Sequence, residues 1–189
     1  YGPHHGAQSN VLYGAGVAEI AGNASYPTAG ASTHFTGASC TSCHMGEYTV
    51  VPDVGRTQTP SVGGHTYNPN VENCKTCHTT IQDFDFVSIQ TNTTAKLDEL
   101  KALLLDQGVI EEGFETLYEL DEDTGDIIEV ITSDGFHPVT GTYTMAQAQA
   151  FFNWTGLLED RSFGVHNPAY VTALLDNSID AITPVPPAQ

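Results

Sequence analysis

The chain has 189 residues and a formal charge of −18, with 5 Lys plus Arg against 23 Asp plus Glu. A surface this acidic repels nucleic acid and anionic membranes, so neither is expected as a partner. No apolar run is long enough to span a membrane and none has the form of a signal peptide, so Tyr1 is expected to open a mature, processed chain.

The length fits one domain, 1–189. Residues 1–90 show little periodicity and are punctuated by Gly, Pro, Asn and Thr, which predicts loops and short helical turns. Thr94 to Gln107 reads as the first helix, with Leu97, Leu100, Leu104 and Leu105 as its apolar stripe and Gly108 as its stop. Phe114–Leu120 and Asp126–Ile131 flank the turn sequence Asp121-Glu122-Asp123-Thr124-Gly125, which predicts a β-hairpin within a lobe over 91–142. The turn's carboxylates lack the spacing of an EF-hand and read as a solvated charge run. Met145 to about Glu159 predicts a second helix, with Phe151, Phe152, Trp154 and Leu158 apolar. A third starts after His166 with Pro168 in its first turn and a buried face of Tyr170, Val171, Leu174, Leu175 and Ile179. These two helices form a hairpin over 143–182, and the Pro-rich tail 183–189 is an extended arm.

The chemistry lies in a pentapeptide that occurs twice, Cys40-Thr41-Ser42-Cys43-His44 and Cys74-Lys75-Thr76-Cys77-His78, and uses all four cysteines. The pattern C-x-x-C-H is the attachment sequence of a c-type haem: two thiols bond the porphyrin edge and the His that follows ligates the iron. The competing reading is a four-thiolate zinc site. Such a site has no use for a His after each second Cys, and the chain carries 8 His against its 5 Lys plus Arg. Two covalent haem c groups are therefore expected, in a mainly α fold with much irregular loop and a small β-hairpin insertion. Haem attachment of this kind takes place outside the cytoplasm, which predicts an extracellular or cell-surface protein, with the periplasm as the alternative.

Each iron has room for a sixth ligand, for which neutral imidazole is well suited. The candidates are His4, His5, His34, His65, His137 and His166, with Met45 and Met145 weaker. Three triplets match the N-glycosylation pattern, at Asn23, Asn92 and Asn153; the last falls within a predicted helix, which disfavours it.

Several runs carry a resemblance. Gly2-Pro3-His4-His5-Gly6-Ala7-Gln8, Ser32-Thr33-His34 ahead of the first pentapeptide and Met45, and Gly63-Gly64-His65-Thr66-Tyr67 ahead of the second are three of them. The fourth is Asp160-Arg161-Ser162-Phe163-Gly164-Val165-His166-Asn167-Pro168-Ala169-Tyr170. Together they resemble multihaem c-type cytochromes, including extracellular filament-forming cytochromes and, more distantly, the C-terminal part of pentahaem nitrite reductases. The resemblance implies that His34 caps the haem on Cys74, Cys77 and His78, and that His166 caps the haem on Cys40, Cys43 and His44. It leaves His65 without an assigned haem, so His65 stands as a substitute ligand, with His4 or His5 after it.

The nitrite-reducing haem of that group sits on a C-x-x-C-K motif, which this chain lacks. The expected function is thus electron transfer through bis-His haems, without catalysis. By resemblance the chain is a subunit of an extracellular filament that passes electrons to redox partner proteins or external metal acceptors. The alternatives are a small haem redox enzyme with one open iron and a soluble shuttle.

Overall fold

The computed structural model describes residues 6–46, 49–50, 61–120 and 127–185. Three helices form the body: α5 (Ile89–Asp106), α6 (Met145–Asp160) and α7 (Pro168–Ile182). Before them come four short helices, α1 (Ala7–Tyr13), α2 (Thr33–Gly37), α3 (Cys40–His44) and α4 (Val71–Cys74), and a two-residue ribbon pairing β1 (Thr49–Val50) with β2 (Ser61–Val62). A long antiparallel hairpin, β3 (Ile110–Leu120) with β4 (Ile127–Pro138), is inserted between α5 and α6. The architecture is mainly helical with a small β insertion.

Residues with a 3.6-residue repeat supply the core. Leu97, Leu100 and Leu104 of α5 pack with Ala150, Trp154 and Leu157 of α6 and with Tyr170, Val171, Leu174, Leu175 and Ile179 of α7. Each fully buried Leu contributes on the order of 2 kcal/mol of apolar transfer energy. The caps follow from sequence: Thr144 and Gln147 form a reciprocal capping box on α6, and Asn167 accepts from the Tyr170 N–H ahead of α7, with Pro168 in the first turn.

Several expectations are corrected in detail. Helix α5 begins at Ile89 rather than Thr94, because Val87 and Ser88 adopt left-handed backbone (φ 52° and 59°) and turn the chain into it. Leu105 is exposed, since it lies one residue and about 100° around the helix from the buried Leu104. Leu158 is likewise exposed on α6. The hairpin runs to Ile110 and Pro138, several residues beyond the expected strands, and carries a bulge where Gly113 pairs with Gly135 and Phe114 with Ser133. Its turn, 121–126, lies outside the described residues.

The N-terminal segment between α1 and α2 has no regular structure, yet two fully buried amides of the helical body hold it. Asn153 accepts from Ala18 N–H (2.8 Å) and donates to Ala18 C=O (2.7 Å). Asn177 does the same to Ala24, at 2.9 and 2.8 Å. Each side-chain amide thus imitates one rung of a strand pair and satisfies buried backbone groups. The approach is close: a Cβ on Gly22 would stand 2.3 Å from Asn177 Oδ1. Tyr170 adds a third tie, its hydroxyl donating to Glu19 (3.2 Å); burial, reinforced by the Glu19 charge, holds this phenol protonated far above its usual range.

Candidate haem-binding site

The two pentapeptides sit on adjoining short turns. Ser39 caps α3 by accepting from Ser42 N–H (3.2 Å), while the Ser42 hydroxyl accepts from Ser39 N–H (3.3 Å), so the motif's own second variable residue helps start its helix. Asn70 caps α4 through Glu72 N–H (3.0 Å), and a further turn closes over the second motif with His78 N–H on Cys74 C=O (2.8 Å). In both cases a single turn of backbone carries the sequence from the first Cys to the His.

Asn73 joins the two motifs. Its amide donates to Cys43 C=O (3.3 Å) and presses on Gly46, where a Cβ would fall 1.9 Å from the amide nitrogen. The thiols share one neighbourhood: Cys43 is pushed up chiefly by burial and then by Cys40 and Cys77, and Cys74 by burial and then Cys43. The upward push on Cys43 and Cys74 favours the neutral thiol, the opposite of the depression that activates a catalytic cysteine.

Four imidazoles come together in two couples. His34 lies 5.9 Å from His78 between ring centres, and His166 lies 6.3 Å from His44. Two imidazoles on opposite sides of one metal ion place their centres about 6 Å apart, given metal–nitrogen bonds of about 2 Å. The couples join the same residues that the resemblance pairs.

Three of the four outer nitrogens are engaged as well. His44 Nδ1 donates to Tyr67 C=O (2.9 Å), His34 Nδ1 to Val165 C=O (2.7 Å) and His166 Nδ1 to an Asp160 carboxylate oxygen (2.6 Å). A carbonyl only accepts, so Nδ1 of His44 and His34 carries the proton and Nε2 keeps its lone pair for a metal. Two rings pack on these imidazoles: Tyr67 stacks on His44 at 5.0 Å and Phe86 lies 4.8 Å from His78.

One loop governs both non-motif histidines. Between α6 and α7, Arg161, Phe163 and Gly164 all have positive φ (59°, 49° and 94°), which coils residues 160–166 tightly. The coil aims Val165 C=O at His34 and sets His166 above Asp160, whose carboxylate also accepts from the Ser162 hydroxyl and N–H. Gly164 is held against α5, where a Cβ would meet Thr93 Oγ1 at 2.6 Å.

The donor set suits a cofactor that brings its own equatorial ligands. Among the described residues no three His, Cys, Asp or Glu side chains converge to hold a metal ion, as a protein-only zinc site requires. Each couple instead brings together one imidazole from a pentapeptide that carries two thiols and one from a distant part of the chain. The other described candidates are not members of these couples. His65 is exposed on a 3₁₀ turn (Gly64–Thr66), with no hydrogen bond or ring contact to any described residue. His137 lies on β4 opposite Glu111, Met145 is exposed, and His4 and His5 fall outside the described residues.

Sequence reasoning missed Asp160, Tyr67, Val165 and Asn73. Asp160 and Val165 lie within the run from Asp160 to Tyr170, but an acceptor that is a backbone carbonyl leaves no side-chain signal. Comparison of the chain with protein-family models, with curated proteins and with solved structures finds no match.

Proposed function

We propose that this chain is a dihaem c-type cytochrome that transfers electrons and catalyses no reaction of its own. The observation that carries this reading is the pairing of each motif histidine with one distant histidine at a spacing suited to a single iron. Cys40 and Cys43 would hold one haem covalently and Cys74 and Cys77 the other. His44 and His166 would be the axial ligands of the first, and His78 and His34 those of the second. When bound, each haem supplies a one-electron iron couple.

The protein's own groups then do the rest. Tyr67, Val165 and Asp160 orient the imidazoles, so little rearranges when charge moves. Asn73 keeps the two motifs in contact, which suits transfer between neighbouring sites. Two histidines per site leave no open position for substrate, the condition for a carrier rather than an enzyme.

The filament reading belongs to this proposal: the chain is a subunit of an extracellular assembly that delivers electrons to partner proteins or metal acceptors. Exposed apolar side chains on the hairpin (Phe114, Ile127, Ile131) support it, while the charge of −18 opposes close packing of copies.

Intact-mass measurement of the secreted protein is expected to find two haems, and the oxidised spectrum only low-spin bands. His34→Ala and His166→Ala are each expected to turn one haem high-spin with both still attached. A mass without haem overturns the cytochrome, and a high-spin band in the wild type overturns the closed carrier. Electron microscopy at physiological ionic strength tests the assembly, since monodisperse monomers alone would refute it.

A further inference from the structure

The two histidine couples are not equivalent, and the difference lies in what their Nδ1 atoms touch. In the His78/His34 couple, His34 donates to a neutral acceptor, Val165 C=O (2.7 Å). In the His44/His166 couple, His44 also donates to a carbonyl, but His166 donates to the Asp160 carboxylate (2.6 Å). Asp160 is only 3% exposed, while the His166 ring remains half-buried. The carboxylate is held on its other side by the Ser162 hydroxyl and N–H, so it cannot swing away from the imidazole. No arginine or lysine is bonded to it among the described residues, which leaves its charge directed at His166.

From this asymmetry we infer that Asp160 is a positioning residue that makes the iron between His44 and His166 the harder of the two to reduce. The inference rests on the dihaem reading above. A carboxylate accepting Nδ1–H draws that proton toward itself and raises the electron density at Nε2, which favours the ferric ion. A charge buried in a low-dielectric interior acts in the same direction and is weakly screened. The one carbonyl acceptor of the second couple, Val165 C=O on His34, does this far less. Electrons entering the protein therefore settle first at the His78/His34 site, and the His44/His166 site fills last, which gives a two-site carrier a built-in direction.

The test is Asp160→Asn in the secreted holoprotein, since the amide keeps an acceptor oxygen for Nδ1–H but removes the charge. Intact mass first counts haems, and a wild type carrying none fails the cytochrome reading itself, and this inference with it. With two haems present, spectroelectrochemistry is expected to resolve two wild-type midpoints. In the variant the lower one should rise toward the upper one, which moves much less, with both haems still low-spin. Unchanged midpoints, or equal movement of both, overturn the inference while leaving the cytochrome intact. Should the variant fold poorly or lose ligation, near-infrared magnetic circular dichroism of the oxidised wild type decides. Its ligand-to-iron bands follow the imidazolate character of the axial histidines: two distinct bands uphold the assignment and one shared band overturns it.

Discussion

The helical body and the motif-bearing segment solve the same problem with different materials. Helices α5, α6 and α7 bury one another's aliphatic faces, and six aliphatic side chains among them (Leu100, Leu104, Ala150, Val171, Leu174, Leu175) are wholly shielded. Over residues 33–88, Ile81 is the single buried apolar side chain among the described residues. The same stretch leaves Phe35, Tyr67 and Val87 exposed, at 42%, 52% and 78%. A protein segment of this length without its own core is marginal unless something else fills the centre. On the dihaem proposal, two porphyrins tied to Cys40, Cys43, Cys74 and Cys77 would do so, and helices as short as α3 and α4 would then suffice.

The sharpest way to break this contrast is to remove the attachment points. In Cys43→Ala/Cys77→Ala the haem content measured by intact mass is expected to fall. Amide exchange over residues 33–88 should then approach that of an unfolded chain, while α5, α6 and α7 keep most of their protection. Equal protection of the motif segment with and without haem would show that the segment supplies its own stability after all.

The converse perturbation strikes the body. Leu174→Ala removes a side chain with no solvent exposure and is expected to lower the unfolding free energy by about 2–5 kcal/mol in a denaturant titration. Because Leu174 packs within the helical core and not on the histidine couples, the oxidised spectrum of the folded variant should not change. A shift in the spectrum would mean that the two regions are mechanically coupled.

What could be read from the sequence divides along the same line. The pentapeptides are local, five residues that carry their chemistry with them, and the helices announce themselves through Leu97, Leu100 and Leu104 or Tyr170, Leu174 and Ile179. The hairpin showed by its turn-rich middle, but its outer pairs lie beyond the register shift between Gly113 and Phe114 and were not visible. The start of α5 was missed because left-handed backbone at Val87 and Ser88 replaces a capping signal. Asn153 looked like a glycosylation triplet, yet it is wholly buried and spends its amide on Ala18 and Ser178. Contacts that join residues 135 or 153 positions apart have no periodic signature in one sequence.

Those long-range amides give an intermediate test of how the N-terminal segment is borne by the body. Asn177→Ala strips both hydrogen bonds from Ala24 and leaves its N–H and C=O unpaired in a partly buried strip. The expected cost is about 1–3 kcal/mol in chemical denaturation, below that of Leu174→Ala. Exchange of the Ala24 amide should rise in step. If the cost is nil, water replaces the side chain freely and the segment is held mainly by Tyr170 and Asn153.

The smallest effect is expected inside the second pentapeptide itself. Lys75 is one of its two variable residues and pairs with Glu72 at 2.5 Å, three positions back, with 40% and 67% of the two side chains exposed. A solvent-facing pair of this kind contributes well under about 1 kcal/mol once side-chain entropy and screening are included. Lys75→Ala should therefore leave the haem count at its wild-type value and the thermal midpoint nearly so, although it lies between Cys74 and Cys77. The contrast with Cys77→Ala, two residues on, isolates what the motif requires: thiols and an imidazole at fixed spacing on one turn, with the intervening positions free to vary. A loss of haem in Lys75→Ala would instead mean that the ion pair, and not the turn alone, holds the thiols in reach of their partner.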